Sequence, residues 1–186
     1  MRIEMNDLEH KIVELIQQGE GLTLEFKECR NTLNRDVYET VCAFLNRHGG
    51  TLLLGIKDNG DILGVDQDRV DQIKKDFVTT INNSQKINPA CYLSVNEATL
   101  QNKTVLSVYI PESSQVHRCN GRIYDRNEDG DFDIWVGIIC GTLLMANRLG
   151  VSHQSMTISR IFSLLQEVIN ECTIPYLSFE RPKRAC

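Results

Sequence analysis

The chain is predicted to fold as an α/β protein, a mixed α+β sheet flanked by helices, followed by a helical C-terminal segment. Three observations predict this. Apolar residues repeat at helical spacing in three separate stretches before residue 90. Between the first two the period drops to two, and after the second comes a nearly continuous apolar run, the patterns of a half-buried and a central strand. Beyond Trp135 the pattern is helical to about Cys172.

The first helix starts at Asn6, which is followed three residues later by Glu9, a capping-box pair. Leu8, Ile12, Leu15 and Ile16 then mark one face, up to Gly19. From residue 22 to 27 the alternation of Leu22, Leu24 and Phe26 with Thr23, Glu25 and Lys27 predicts a strand with Glu25 and Lys27 on its polar face. Asn34 is the expected cap of a second helix carrying Val37, Tyr38, Val41, Phe44 and Leu45, with Gly49-Gly50 as its stop.

Residues 51–57 read as a buried strand. A right-handed crossover through the second helix would set it parallel to the strand at 22–27. Asp58-Asn59-Gly60-Asp61 is a turn, and residues 62–65 return as a short strand. Val70, Ile73, Phe77 and Ile81 define a third helix, and Pro89 breaks the chain. Strands are expected at 91–95 and 104–110, joined through Gln101-Asn102-Lys103, and another at 121–126. The polar stretch 127–133 is expected to be a loop, placing a domain at residues 1–134 and a helical segment at 135–186.

Composition limits the function classes. Hydrophobic residues make up 41% and charged residues 24%, the balance of a folded chain rather than a disordered one. The net charge of -5 excludes a uniformly basic nucleic-acid coat, so any phosphate contact must come from a local basic patch. No secretory signal is read in the opening residues, and the most apolar stretch, 134–146, is too short to cross a bilayer. The seven cysteines (29, 42, 91, 119, 140, 172 and 186) form no C-x-x-C pair, which predicts reduced thiols and a cytoplasmic location without a membrane. His117-Arg118-Cys119 is too sparse for zinc. There is no G-x-x-x-x-G-K-[ST] loop.

Glu20, Glu25 and Asp58, with Lys27, form the chemistry-bearing constellation. If the two strands are parallel neighbours, three carboxylates meet at one edge. Such a set suits Mg²⁺ or Mn²⁺, hard ions that prefer oxygen and can activate water against a phosphodiester, with Lys27 balancing charge. The plainer alternative is that Glu25 pairs with Lys27 or a helix residue on a solvated face and Asp58 serves its turn.

These residues also carry a resemblance. Glu20-x-x-x-Leu24-Glu25-Phe26-Lys27-Glu28, then Val41-Cys42-Ala43-Phe44-Leu45-Asn46, then Gly49-Gly50-Thr51 through Asn59-Gly60 with Gly64-Val65, and finally His117 with Gly121-x-x-Tyr124-x-Arg126, resemble the AlbA_2 domain of the Schlafen family over about residues 6–134. The chain is similar to bacterial proteins of that domain described as DNA-binding or as transcriptional regulators. The resemblance implies an AlbA_2-like fold and a nucleic-acid partner. In animal Schlafen proteins that cleave RNA, two glutamates five residues apart and a later aspartate form a metal-dependent active site, and these correspond to Glu20, Glu25 and Asp58.

Arg122, Tyr124 and Arg126 share one strand face, with Arg118 and His117 upstream. Arginine meets phosphate with a fork of donors, and tyrosine can stack on a base. Asn46 is expected to bond the exposed backbone of the Gly49-Gly50 turn. Asp125-x-Asn127-x-Asp129-Gly130-x-x-Asp133 mimics part of a calcium loop, but Val136 stands where the bidentate Glu belongs, so a solvated turn is expected.

Residues 143–161 resemble a helix-turn-helix, with Ala146 at the helix contact, Gly150 in the turn, Ser152 as cap and Met156 facing inward. His153, Gln154, Ser155 and Thr157 would then face base edges. Together these features predict a nucleic-acid-binding protein, in the first instance a DNA-binding transcriptional regulator acting as a homodimer. The alternatives are an endoribonuclease using Mg²⁺ or Mn²⁺, and a non-catalytic oligomerisation or sensor module.

Overall fold

A computed structural model describes residues 6–127 and 130–134 of the chain. The helix-turn-helix expected at 143–161, with Gln154 and Ser155, and the rest of the C-terminal segment lie outside the described residues.

Helix α1 (Asp7–Gln18) begins as its capping box predicts. The Asn6 side chain accepts the Glu9 N–H, and the Glu9 carboxylate accepts the Asn6 N–H, each at 2.9 Å. Strand β1 (Leu24–Lys27) leads into α2 (Asp36–Asn46), and β2 (Gly50–Leu54) returns parallel to β1, pairing Leu24 with Thr51 and Lys27 with Leu54. The parallel neighbours expected from the crossover are therefore present. Helix α2 corrects its predicted cap: Arg35, without a side-chain cap bond, stands at that position instead of Asn34.

Helix α3 (Val70–Ile81) buries Val70, Ile73, Phe77 and Ile81, the four residues its spacing singled out. β3 (Ile87–Asn88) is short. β4 (Val95–Leu100) and β5 (Lys103–Ile110) form a tight hairpin across Gln101 and Asn102, both at positive φ. This moves the strand expected at 91–95. A two-residue turn demands that the strand run directly into it, so the paired residues are 95–100. Residues 62–65 contribute isolated bridges at Ile62 and Val65 rather than a strand.

The main sheet runs β1-β2-β5-β4, and only the β1–β2 pair is parallel. One face carries Leu24, Phe26, Leu53, Val105, Ala98 and Leu100 and is packed by Ile12 of α1. The other carries Leu52, Leu54, Leu106, Val108 and Ile110 and is packed by α2 and α3. Alternation places Glu25, the register partner of Leu52, on this second face under α2. It is buried, not solvated.

β6 (Arg118–Cys119) pairs with β3, and β7 (Ile123–Asn127) pairs with β8 (Gly130–Ile134). The stretch expected to be a loop is thus mostly a hairpin strand. Its acidic residues made it look solvent-bound, but Asp131 is ion-paired with Arg126 and Asp133 with Arg122 across the ladder. The partial calcium-loop pattern dissolves in the same way, since Asp125 is held by Arg47 and Asp133 by Arg122. β7 packs against α2. Among the described residues no helix is long and apolar enough to cross a membrane, and Cys29, Cys42, Cys91 and Cys119 are free thiols.

Candidate functional site

Strand β1 delivers Glu25 into the layer between the sheet and α2, where a carboxylate must find cationic partners to remain charged. It finds two. Lys27, two residues on along the same face, donates to Oε1 at 2.5 Å, and the Arg126 guanidinium donates to Oε2. Arg126 comes from β7, with its side chain only 3% exposed. Its other donors reach Asp131 Oδ1 at 2.7 Å and the Gly21 carbonyl at 3.1 Å, and its carbon lies 4.9 Å from the Phe44 ring centroid. Thr40 of α2 donates to the second Asp131 oxygen at 2.5 Å.

Burial pulls the Lys27 amine down, but the hydrogen bond and charge of Glu25, with Asp36 and Asp131, hold it above its usual value. Burial pushes Asp131 up, against the opposing bonds of Thr40 and Arg126.

Glu20 stands at the mouth of this network, with Oε1 accepting the Phe26 N–H at 2.7 Å. Partial burial raises its pKa, the Phe26 bond opposes this, and the charges of Glu25 and Asp58 raise it further. The structure therefore brings Glu25 and Asp58 within electrostatic reach of Glu20, with Asp58 on the exposed turn that follows β2. A divalent ion needs carboxylate oxygens free to bind it. Both Glu25 oxygens already face cations, and among the described residues no three His, Cys, Asp or Glu side chains are grouped to hold a metal. As arranged, this donor set does not fit a divalent ion.

A second buried network fixes the strands that carry the cations. Asn46, at the end of α2, donates to the carbonyls of His117 (2.9 Å) and Tyr124 (2.8 Å) and accepts the His117 N–H at 2.7 Å. It serves β6 and β7 rather than the Gly49-Gly50 turn. His117 Nδ1 donates to the Pro89 carbonyl at 2.9 Å, which leaves Nε2 to accept the Ser113 hydroxyl at 2.8 Å. Burial lowers the His117 pKa, the Pro89 bond opposing. Arg47 donates to the buried Asp125 at 2.8 Å, tying α2 to β7 again.

The predicted basic set is divided by the fold. Tyr124 is buried, its hydroxyl pKa pushed up to about 12 by burial and by its neighbour Glu39. Arg126 is interior. Neither shares a solvent face with Arg122, which corrects the three-residue phosphate-facing strand.

Arg118 and Arg122 are exposed, and they flank Cys119 at the corner where β6 turns through Asn120-Gly121 into β7. Two further cations join them. Arg35 and Lys86 are both close enough to Cys119 to act on its thiol, and the Lys86 carbonyl accepts the Asn120 N–H at 2.8 Å. On the β3–β6 ribbon Ile87 and Cys119 point inward, so Lys86, Asn88, Arg118 and Asn120 face water. Arg35 is near Glu39 at 3.8 Å and Arg122 near Asp133 at 3.1 Å. Among the described residues Lys86 and Arg118 make no ion pair.

Lys86 and Arg35 were missed from the sequence. The signal for Lys86 was the Lys86-Ile87-Asn88 alternation before Pro89, a strand too short to stand out on its own.

The profile described as "Schlafen, AlbA_2" matches residues 20–134 of the chain. The DIP2311 protein of Corynebacterium diphtheriae is similar in structure, with a TM-score of 0.51 and 17% identity over 67% of this chain and 29% of that one. This likeness is one of fold, and the matched part is less than a third of that protein. The N-terminal domain of a RecG-related protein from Nitrosomonas europaea is 29% identical over 53% of this chain and 71% of that one, with a TM-score of 0.42. Among curated proteins none matches.

Proposed function

Because the chain belongs to the Schlafen AlbA_2 family, we propose that it binds nucleic acid, acting as a DNA-binding regulator. The observation that carries this reading is the exposed corner around Cys119, where Lys86 and Arg118 make no ion pair among the described residues and Arg35 and Arg122 stand beside them. On a chain of net charge -5, such a corner is the kind of local patch that phosphate contact requires.

The carboxylate network lies inside the fold and does not compete for these cations. Tyr92, 88% exposed and four residues beyond Asn88, offers a ring on which an unpaired base can stack.

Fluorescence anisotropy with a labelled DNA duplex, a single strand and an RNA hairpin, each over a range of KCl, tests the reading. Binding is expected to weaken linearly in log salt, because phosphate contacts release counterions. Absence of binding to all three at low salt would overturn it. Preference for the RNA hairpin would move the partner from DNA to RNA.

A further inference from the structure

The Arg126 guanidinium sits in a cage of oxygens. Gly21 contributes a carbonyl, while Glu25 and Asp131 contribute carboxylates, and all three converge on one buried cationic group. Carbonyl and carboxylate oxygens gathered in this way are the donors that hard divalent ions take. Glu25 and Asp131 are set against Lys27 and Arg126, and Lys27 also lies 3.4 Å from the half-exposed Asp36. Thr40 and Lys27 occupy the outward oxygens, so little of either carboxylate is left to recruit another cation.

We propose that Arg126 is a built-in counter-cation: it fills the place in the Gly21–Glu25–Asp131 cage that a divalent metal would otherwise take, and keeps the site closed to Mg²⁺ and Mn²⁺. Arginine suits this role. Its fork reaches two carboxylates and a carbonyl at once. The same contacts clasp the β7–β8 hairpin onto β1 and α2, so the cation that closes the cage also secures the end of the domain. Removing the guanidinium leaves at least one negative charge in excess beside vacated oxygens, which a divalent ion would relieve. The inference is independent of nucleic-acid binding, since none of these residues belongs to the Cys119 corner.

The test is isothermal titration of the full chain with MnCl₂, paired with thermal melts, for wild type, Arg126→Ala, Arg126→Lys and Glu25→Gln. Wild type and Arg126→Lys are expected to show no saturable Mn²⁺ heat and no melting shift. Arg126→Ala is expected to bind one Mn²⁺ at least roughly tenfold more tightly than wild type, and to melt higher in its presence, as one uncompensated charge a few ångströms from the ion requires. Stoichiometric Mn²⁺ binding by wild type that Glu25→Gln abolishes would overturn the proposal. So would a folded Arg126→Ala that ignores Mn²⁺, or an unfolded one that Mn²⁺ fails to restore.

Discussion

Arg126 lies 101 residues beyond Glu25 in the chain, yet its guanidinium holds the Glu25 carboxylate inside the layer between the sheet and α2. That contact joins the first strand of the domain to its last hairpin, and it separates Glu25 from Asp58 by role. Glu25 is built into the interior, while Asp58 remains on an exposed turn. Replacing Glu25 with Gln removes the carboxylate shared by Arg126 and Lys27 and leaves Arg126 only Asp131 and the Gly21 carbonyl, and urea unfolding is expected to show a loss of about 3 kcal/mol. Asp58→Ala is expected to stay within about 0.5 kcal/mol of wild type. An equal loss from both would contradict the separation.

Asn46 holds three backbone groups that no water reaches. Truncation to Ala leaves the His117 N–H and two carbonyls without this partner. A destabilisation of about 3 kcal/mol is expected in denaturant melts, since each buried orphan costs on the order of 1–3 kcal/mol. A neutral Asn46→Ala would mean that these three bonds add nothing net to the hold of α2 on β6 and β7.

The step from α2 into β2 depends on Gly49 and Gly50. Gly49 has φ +70°, and an added Cβ would lie 2.6 Å from the Ile110 carbonyl oxygen; at Gly50 it would lie 2.6 Å from the Phe44 ring. Gly49→Ala is therefore expected to cost at least about 2 kcal/mol, through backbone strain and a clash with rigid main chain. Circular-dichroism melts would measure it, and an unchanged midpoint would contradict this geometry.

His117 sets a pH dependence with a definite sign. Burial lowers its folded pKa below the ordinary 6.5, so between these two values the unfolded chain binds more protons than the folded one. Stability from this group is complete above about 6.5 and falls as the pH drops through that value toward the folded pKa. Chemical denaturation between pH 7.5 and 5.5, compared with His117→Gln, would isolate the slope. The variant should lose it, and a slope that persists unchanged would assign it to another group. Asp125 and Asp131, raised by burial above 3.8, act in the opposite sense and lose stability as pH rises above that value.

Much of the fold is legible in the sequence because helices and buried strands leave a local period. The α1 capping box and the four inward residues of α3 emerged intact. β4 did not, because Cys91, Leu93 and Val95 alternate like a strand while the paired residues 95–100 carry polar side chains on an edge. The β8 strand was hidden for a related reason: Asp131 and Asp133 look like loop residues until their arginine partners are placed opposite them.

The candidate site was half legible. Glu20, Glu25, Lys27 and Asp58 were identifiable from strand position, but no spacing rule reveals that the cation for Glu25 comes from a strand a hundred residues away. The inward turn of Tyr124 and Arg126 is likewise a tertiary fact, because β7 is covered by α2 and its alternation does not report exposure.

On the proposed function, nucleic acid binds at the corner around Cys119. The most direct measurement is the slope of log affinity against log KCl for a labelled DNA duplex, compared between wild type and the Lys86→Ala/Arg118→Ala double variant. Both side chains are exposed, so the variant should melt like wild type. Loss of two phosphate contacts predicts weaker binding at low salt and a slope reduced by about 2. An unchanged affinity and slope in the folded double variant would contradict the account.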